Sequence, residues 1–175
     1  MPVTLAALLR MRAVEQAPWI ADWMKSDDQD TRWAAAFALA ELGASVDSET
    51  ARSFINLTRD ANPFVRAAAA QGLARADPTA ETLDSLARLT TDRDPKVQIE
   101  ALRAIGKVPT ERSLEILIAA LGDANENVRI TAVESMATLG DRRAISSLQP
   151  LRFRDSPVAW AAEQTLAALA AGGAQ

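Results

Sequence analysis

Asp60-Ala61-Asn62-Pro63-Phe64-Val65-Arg66, Asp92-Arg93-Asp94-Pro95-Lys96-Val97-Gln98 and Asp123-Ala124-Asn125-Glu126-Asn127-Val128-Arg129 are three copies of one seven-residue phrase. A shortened copy reads Asp155-Ser156-Pro157-Val158, and a weaker one reads Ser26-Asp27-Asp28-Gln29-Asp30-Thr31-Arg32. With the Val or Thr as anchor, the copies fall at Thr31, Val65, Val97, Val128 and Val158, 30 to 34 residues apart. A period in this range marks an array of repeated supersecondary units.

The register holds beyond the anchor. Four residues on stand Ala35, Ala69, Ala101, Ala132 and Ala162. Eight residues on stand Leu39, Leu73, Ile105, Met136 and Leu166, and eleven on stand Leu42, Ala76, Val108, Leu139 and Leu169. Offsets of 0, 4, 8 and 11 share one stripe of an α-helix. The recurrent Ala has a steric reading, because only a small side chain fits where two helices cross closely. Gly43, Gly140, Pro109 and the pair Asp77-Pro78 then stop each helix. A second apolar pattern follows in each unit: Phe54 and Leu57; Leu83, Leu86 and Leu89; Leu114, Leu117, Ile118 and Leu121; Ile145, Leu148 and Leu151. Each unit is thus helix A, a short turn, helix B and a second turn.

The phrase itself has a local chemistry. An Asp near the start of helix A can cap free N–H groups and suits the positive end of the helix dipole. Pro63, Pro95 and Pro157 fit the first helical turn, where no N–H is needed. Arg66 and Arg129, six residues after Asp60 and Asp123, can reach the Asp of their own or a neighbouring turn.

Composition narrows the function classes. The chain has 175 residues, 49% hydrophobic and 24% charged, with only 5% aromatic. It has no Cys, no His and no Tyr. That excludes disulfides, thiolate metal sites and every Ser-His-Asp or Cys-His arrangement. Carboxylate groups such as Asp27-Asp28-Asp30 and Asp92/Asp94 sit in the inter-unit turns, where capping explains them, and no cofactor or metal is expected. The net charge of −4 and a pI near 4.9 speak against a nucleic-acid partner. No apolar run approaches the length of a membrane span, and the positive charges of Met1 to Arg12 follow the apolar stretch rather than precede it. The expected setting is cytoplasmic.

Asp-x-x-Pro-x-Val-Arg-x-x-Ala-x-x-x-Leu followed by a second Leu-rich helix resembles the HEAT family, and within it the subgroup of PBS-lyase HEAT-like repeats. The resemblance covers roughly residues 26–170 and departs from the pattern at Gln98 and Ala159, which replace the Arg. It implies an all-α fold, a right-handed α-solenoid of about five helix-pair repeats in one domain over residues 1–171. The units expected are 26–57, 58–89, 90–121 and 122–151. Residues 1–25 should form an N-terminal capping unit with helices at Thr4 to Glu15 and Pro18 to Lys25, its core holding Trp19 and Trp23. Residues 152–171 should form a C-terminal capping helix and 172–175 a disordered tail.

The family's B helices line a concave side, so the resemblance makes their outward residues the candidate groove for a protein or peptide: Arg52, Asn56, Glu81, Asp84, Arg88, Arg112, Glu115, Arg143 and Ser147. A second candidate comes from the wheel of helix A. Offset +2, pointing away from the B layer, carries Trp33, Ala67, Ile99, Ile130 and Trp160, with Phe37 beside Trp33. Trp33, Phe37, Ile99, Ile130 and Trp160 are therefore expected to form a convex apolar line that contacts another protein or a second copy of the chain. The function expected is a non-catalytic protein-protein interaction scaffold. The resemblance leaves a bilin lyase-like subunit or chromophore chaperone as the alternative, with nucleic-acid binding behind it.

Overall fold

The computed structural model describes residues 17–42, 46–153 and 156–171. They form α1 (Ala17–Trp23), α2 (Gln29–Leu42), α3 (Ser48–Leu57), α4 (Pro63–Leu73), α5 (Ala80–Leu89), α6 (Pro95–Gly106), α7 (Glu111–Ala120) and α8 (Glu126–Leu139). A 3-10 turn (Arg142–Ala144), the single turn α9 (Ile145–Leu148), a second 3-10 segment (Gln149–Phe153) and α10 (Pro157–Ala171) follow. No β-strand occurs among the described residues; an isolated parallel bridge joins Val46 and Ala76 in the links after two A helices. The expected helix at Thr4 to Glu15, the Trp19 side chain, Gly43, Asp155 and the tail 172–175 lie outside the described residues.

The chain packs as two compact units, Met1–Ala101 and Leu102–Gln175. In the first, the A helices α2 and α4 lie side by side, the B helix α3 packs on α4, and α3 touches the next B helix, α5. α1 packs on α2; its Ile20 is buried, as is Met24 just past its end, while Trp23 is only half-buried. In the second unit α7 packs on α8, and α8 packs on α10.

The repeat stripe is the core. Ala35, Ala69, Ala101, Ala132 and Ala162 are all fully buried, as are Val65, Val97 and Val128. Leu73, Ile105 and Met136 fill the next turn. Phe54, Leu83, Leu86, Leu114, Leu117 and Leu148 of the B segments are buried as well. The stripe loosens at its ends, where Thr31, Leu139 and Leu166 are only half-buried. Close approach needs more than Ala at one place. A Cβ added to Gly72 of α4 would run into the Phe54 ring, so this glycine is what lets the largest side chain of α3 lie against α4.

The fourth B segment is not the continuous helix its Ile145, Leu148, Leu151 pattern suggests. It is a 3-10 turn, one α-helical turn and another 3-10 segment. Pro150 has no N–H to continue the α-helical ladder, which accounts for the break on that side.

The turns between units carry the most specific chemistry. Asp60 Oδ1 accepts from the Asn62 N–H at 2.9 Å, and Asn62 Oδ1 accepts from the Phe64 N–H at 2.9 Å. The same two-step pattern recurs at Asp92, Asp94 and Lys96, and at Asp123, Asn125 and Asn127. The second residue is therefore the helix cap, and the first Asp is held in place for another partner. Arg66 supplies it across the repeat: its Nε and Nη2 donate to Asp92 at 2.7 and 2.8 Å, while Nη1 donates to the carbonyls of Asp60 and Ala61. Arg32 does the same with Asp60 and with the carbonyls of Ser26 and Asp27. Arg129 keeps the bonds to its own turn, the carbonyls of Asp123 and Ala124. Gln98, in place of an Arg, donates to the Thr90 carbonyl at 3.1 Å. The Arg66 and Asp92 side chains are only 7% and 10% exposed.

Burial alone would raise the carboxyls of Asp60 and Asp92, but the guanidiniums of Arg32 and Arg66 with the backbone N–H groups outweigh it and hold both below the ordinary value. A carboxyl lowered in the folded state stabilises above its unfolded pKa and loses that contribution as pH falls through the folded one. Asp92→Asn should cost about 3 kcal/mol at pH 7, since it strands a buried guanidinium. In denaturant titrations against pH, the gap between wild type and Asp92→Asn should narrow below the ordinary value of 3.8. A constant gap down to acid unfolding would show that the charge plays no part. Gly72→Ala should lower stability by about 1–3 kcal/mol through overpacking against Phe54, read as a fall in thermal midpoint.

Candidate binding surfaces

The B-helix candidates stand on helices whose other sides are fixed in the core. In the first unit Phe54, Ile55 and Leu57 of α3 point inward, and Arg52 and Asn56 are exposed. In α5, Leu83, Leu86 and Leu89 are buried, Glu81 and Arg88 are exposed and Asp84 is half-buried. Arg88 Nη2 donates to Ser85 Oγ at 3.0 Å. Asp47 and Thr79 cap α3 and α5, which fixes where each helix begins and therefore which residues face out.

In the second unit Arg112 and Glu115 of α7 are exposed, as is Arg143, and Ser147 is half-buried. Arg143 links the starts of two successive B segments, its Nη1 on Glu111 at 2.8 Å and its Nη2 on Asp141 at 2.8 Å. The Asp141 carboxylate, and then Glu111, favour the charged guanidinium and raise its pKa further. A shallow, open depression of about 570 Å³ runs along α7, lined by Glu111, Arg112, Glu115, Ile116 and Ala119. The sequence pointed to Arg112 and Glu115 there but not to Ile116 or Ala119. Ile116 is half-buried beside the core Leu117, and Ala119 is exposed next to Ile118.

The A-helix line is uneven. In the first unit Trp33, Phe37 and Ile99 are half-buried, and the Trp33 and Phe37 rings stack with centroids 5.8 Å apart. In the second unit Ile130 is half-buried and Trp160 is 66% exposed. The wheel set these residues opposite the B layer, and all of them but Trp160 are partly covered.

Among the described residues no group of three or more Asp, Glu, His or Cys could hold a metal ion, and no helix is long and apolar enough to cross a membrane.

Paired helices with equivalent alanines at equivalent depths define an α-solenoid of helix-pair repeats. The chain belongs to the HEAT repeat family: the model of HEAT repeats matches residues 17–93 and 85–170. No curated protein matches the sequence. Among solved structures, an engineered protein is 21% identical with a TM-score of 0.64, covering 97% of this chain and 85% of that one. A designed armadillo repeat protein in complex with the peptide (KR)4 is 19% identical with a TM-score of 0.64, covering 94% and 91%. A structure of computationally designed armadillo repeat proteins for modular peptide recognition is 18% identical with a TM-score of 0.61, covering 93% and 92%. At these identities the likeness concerns the fold.

Proposed function

We propose that this chain is a non-catalytic interaction scaffold that binds a protein or peptide through the outward residues of its B helices. In the first unit these are Arg52, Asn56, Glu81, Asp84 and Arg88, and in the second Arg112, Glu115, Arg143 and Ser147. The observation that carries the reading is the contrast within single helices: buried leucines on one side, exposed polar side chains of both signs on the other, on a backbone held by caps and, in the first unit, by the pairs Arg32–Asp60 and Arg66–Asp92. Side chains mounted on so fixed a frame lose little ordering entropy on binding. The likeness to designed armadillo proteins, one solved with a peptide, supports the same reading. The A-helix residues Trp33, Phe37 and Ile99, and Ile130 and Trp160, are a second contact face in this proposal, for another protein or a further copy of the chain. The reading also keeps the PBS-lyase HEAT-like subgroup, a single domain over residues 1–171 and a cytoplasmic setting.

Partners captured by the full chain and identified by mass spectrometry should be lost from a variant carrying Arg52→Glu, Arg88→Glu and Arg112→Glu. Circular dichroism should show the helices intact, because all three residues are exposed. Trp33→Asp with Trp160→Asp should remove a different set of partners. An unchanged partner list with the triple variant would overturn the B-helix assignment.

A further inference from the structure

Phe64 is 56% exposed, and nothing in the fold asks for an aromatic ring there. It precedes the anchor Val65; the equivalent positions hold Asp30, Lys96, Asn127 and Pro157. A single exposed apolar side chain is ordinary in itself. The surroundings of Phe64 are not. Lys96 Nζ lies 5.8 Å from the centre of its ring. Arg93 Nη2 reaches the Ala61 carbonyl at 3.4 Å, which lays the guanidinium over the turn that carries the ring. Neither cation forms an ion pair among the described residues.

The charges on the two turns 59–66 and 91–98 are sorted by depth. Those that face solvent are Arg59, Arg93 and Lys96, all positive. The carboxylates Asp60, Asp92 and Asp94 are less exposed, and they are taken up by Arg32, Arg66 and backbone N–H groups. A chain of net charge −4 thus shows, at this one edge of its first unit, an aromatic ring with Lys96 against it and the Arg93 guanidinium on the same turn, Arg93 being drawn in part to the Asp92 carboxylate. The preceding turn, linked by Asn62 Nδ2 to Gln29 Oε1 at 3.3 Å, is acidic, with Asp27, Asp28 and Asp30 exposed. Its like charge disfavours a negatively charged ligand on that side.

We propose that Phe64, Arg93 and Lys96 form a docking site for a short acidic segment of another protein. An apolar side chain of that segment rests on the Phe64 ring, and flanking Asp or Glu carboxylates meet Arg93 and Lys96. The site lies on the turns, apart from the outward B-helix residues, and does not depend on them. The ring supplies contact area at little entropic cost, and exposed charges of this kind govern encounter rate and salt dependence.

Fluorescence anisotropy with short synthetic peptides tests it: one with a Trp flanked by Glu residues, one with each Glu replaced by Lys, and one with the Trp replaced by Ser. The Glu/Trp peptide should bind best, and more weakly as salt is raised. Phe64→Ser and Lys96→Glu should each weaken it about tenfold or more. Both residues are exposed, so the thermal midpoints should stay close to that of wild type. Arg52→Glu with Arg88→Glu should leave the affinity unchanged. The site is overturned if the Glu/Trp peptide does not bind, if the Lys peptide binds as well, or if Phe64→Ser binds like wild type. Loss of binding in the Arg52/Arg88 variant alone would move the peptide to the B-helix face, ending this proposal and leaving the function reading intact.

Discussion

The structure depends on a guanidinium that belongs to two repeats at once. Arg66 binds the carbonyls that close its own turn and the carboxylate that opens the next one. Arg32 does the same one unit earlier. The planar fork matters, because one edge satisfies a carboxylate twice while a separate N–H group serves backbone oxygens. A lysine could not make both sets of contacts. In the first unit these pairs tie successive A helices at one spacing, and the buried Ala35 and Ala69 fit there. Hydrophobic burial supplies the driving force, and the ladder selects the register in which it is collected.

Much of this was legible from the period of the sequence. The five alanines at offset +4 were read as the close-packed seam, and all five are fully buried. Pro63, Pro95 and Pro157 each open a helix and Gly140 closes one in the left-handed conformation, because these residues act through local backbone chemistry. The role of the first Asp in each turn was only half legible. A cap and a bridge leave the same mark in a sequence, and only the coordinates show Asn62 doing the first while Asp60 does the second. The break after α9 was missed for a related reason: apolar spacing at Ile145, Leu148 and Leu151 fits a helix whether or not Pro150 lets it continue.

The candidate surfaces were less legible than the fold. Which residues face outward on α3, α5 and α7 follows from the helical period once the core is known. What a mixed set of exposed charges is for does not follow from spacing. Trp33, Phe37, Ile99 and Ile130 show the limit of a wheel, which gives a direction for each side chain but not its depth: all four are half-buried. Phe64 escaped notice because it lies at an offset held by Asp30, Lys96, Asn127 and Pro157 in the other units, and Arg93 and Lys96 come from the next turn along the sequence.

The 3-10 turns on either side of α9 have a dynamic consequence. Where the earlier B helices close regular i-to-i+4 bonds over 10 residues each, this segment has one such turn between two tighter, less well-aligned ones. Its amides have less cooperative protection, and Leu148 is its main buried anchor together with Ala144. Among the described residues of the second unit, solvent hydrogen therefore enters 142–153 sooner than the helices α8 and α10.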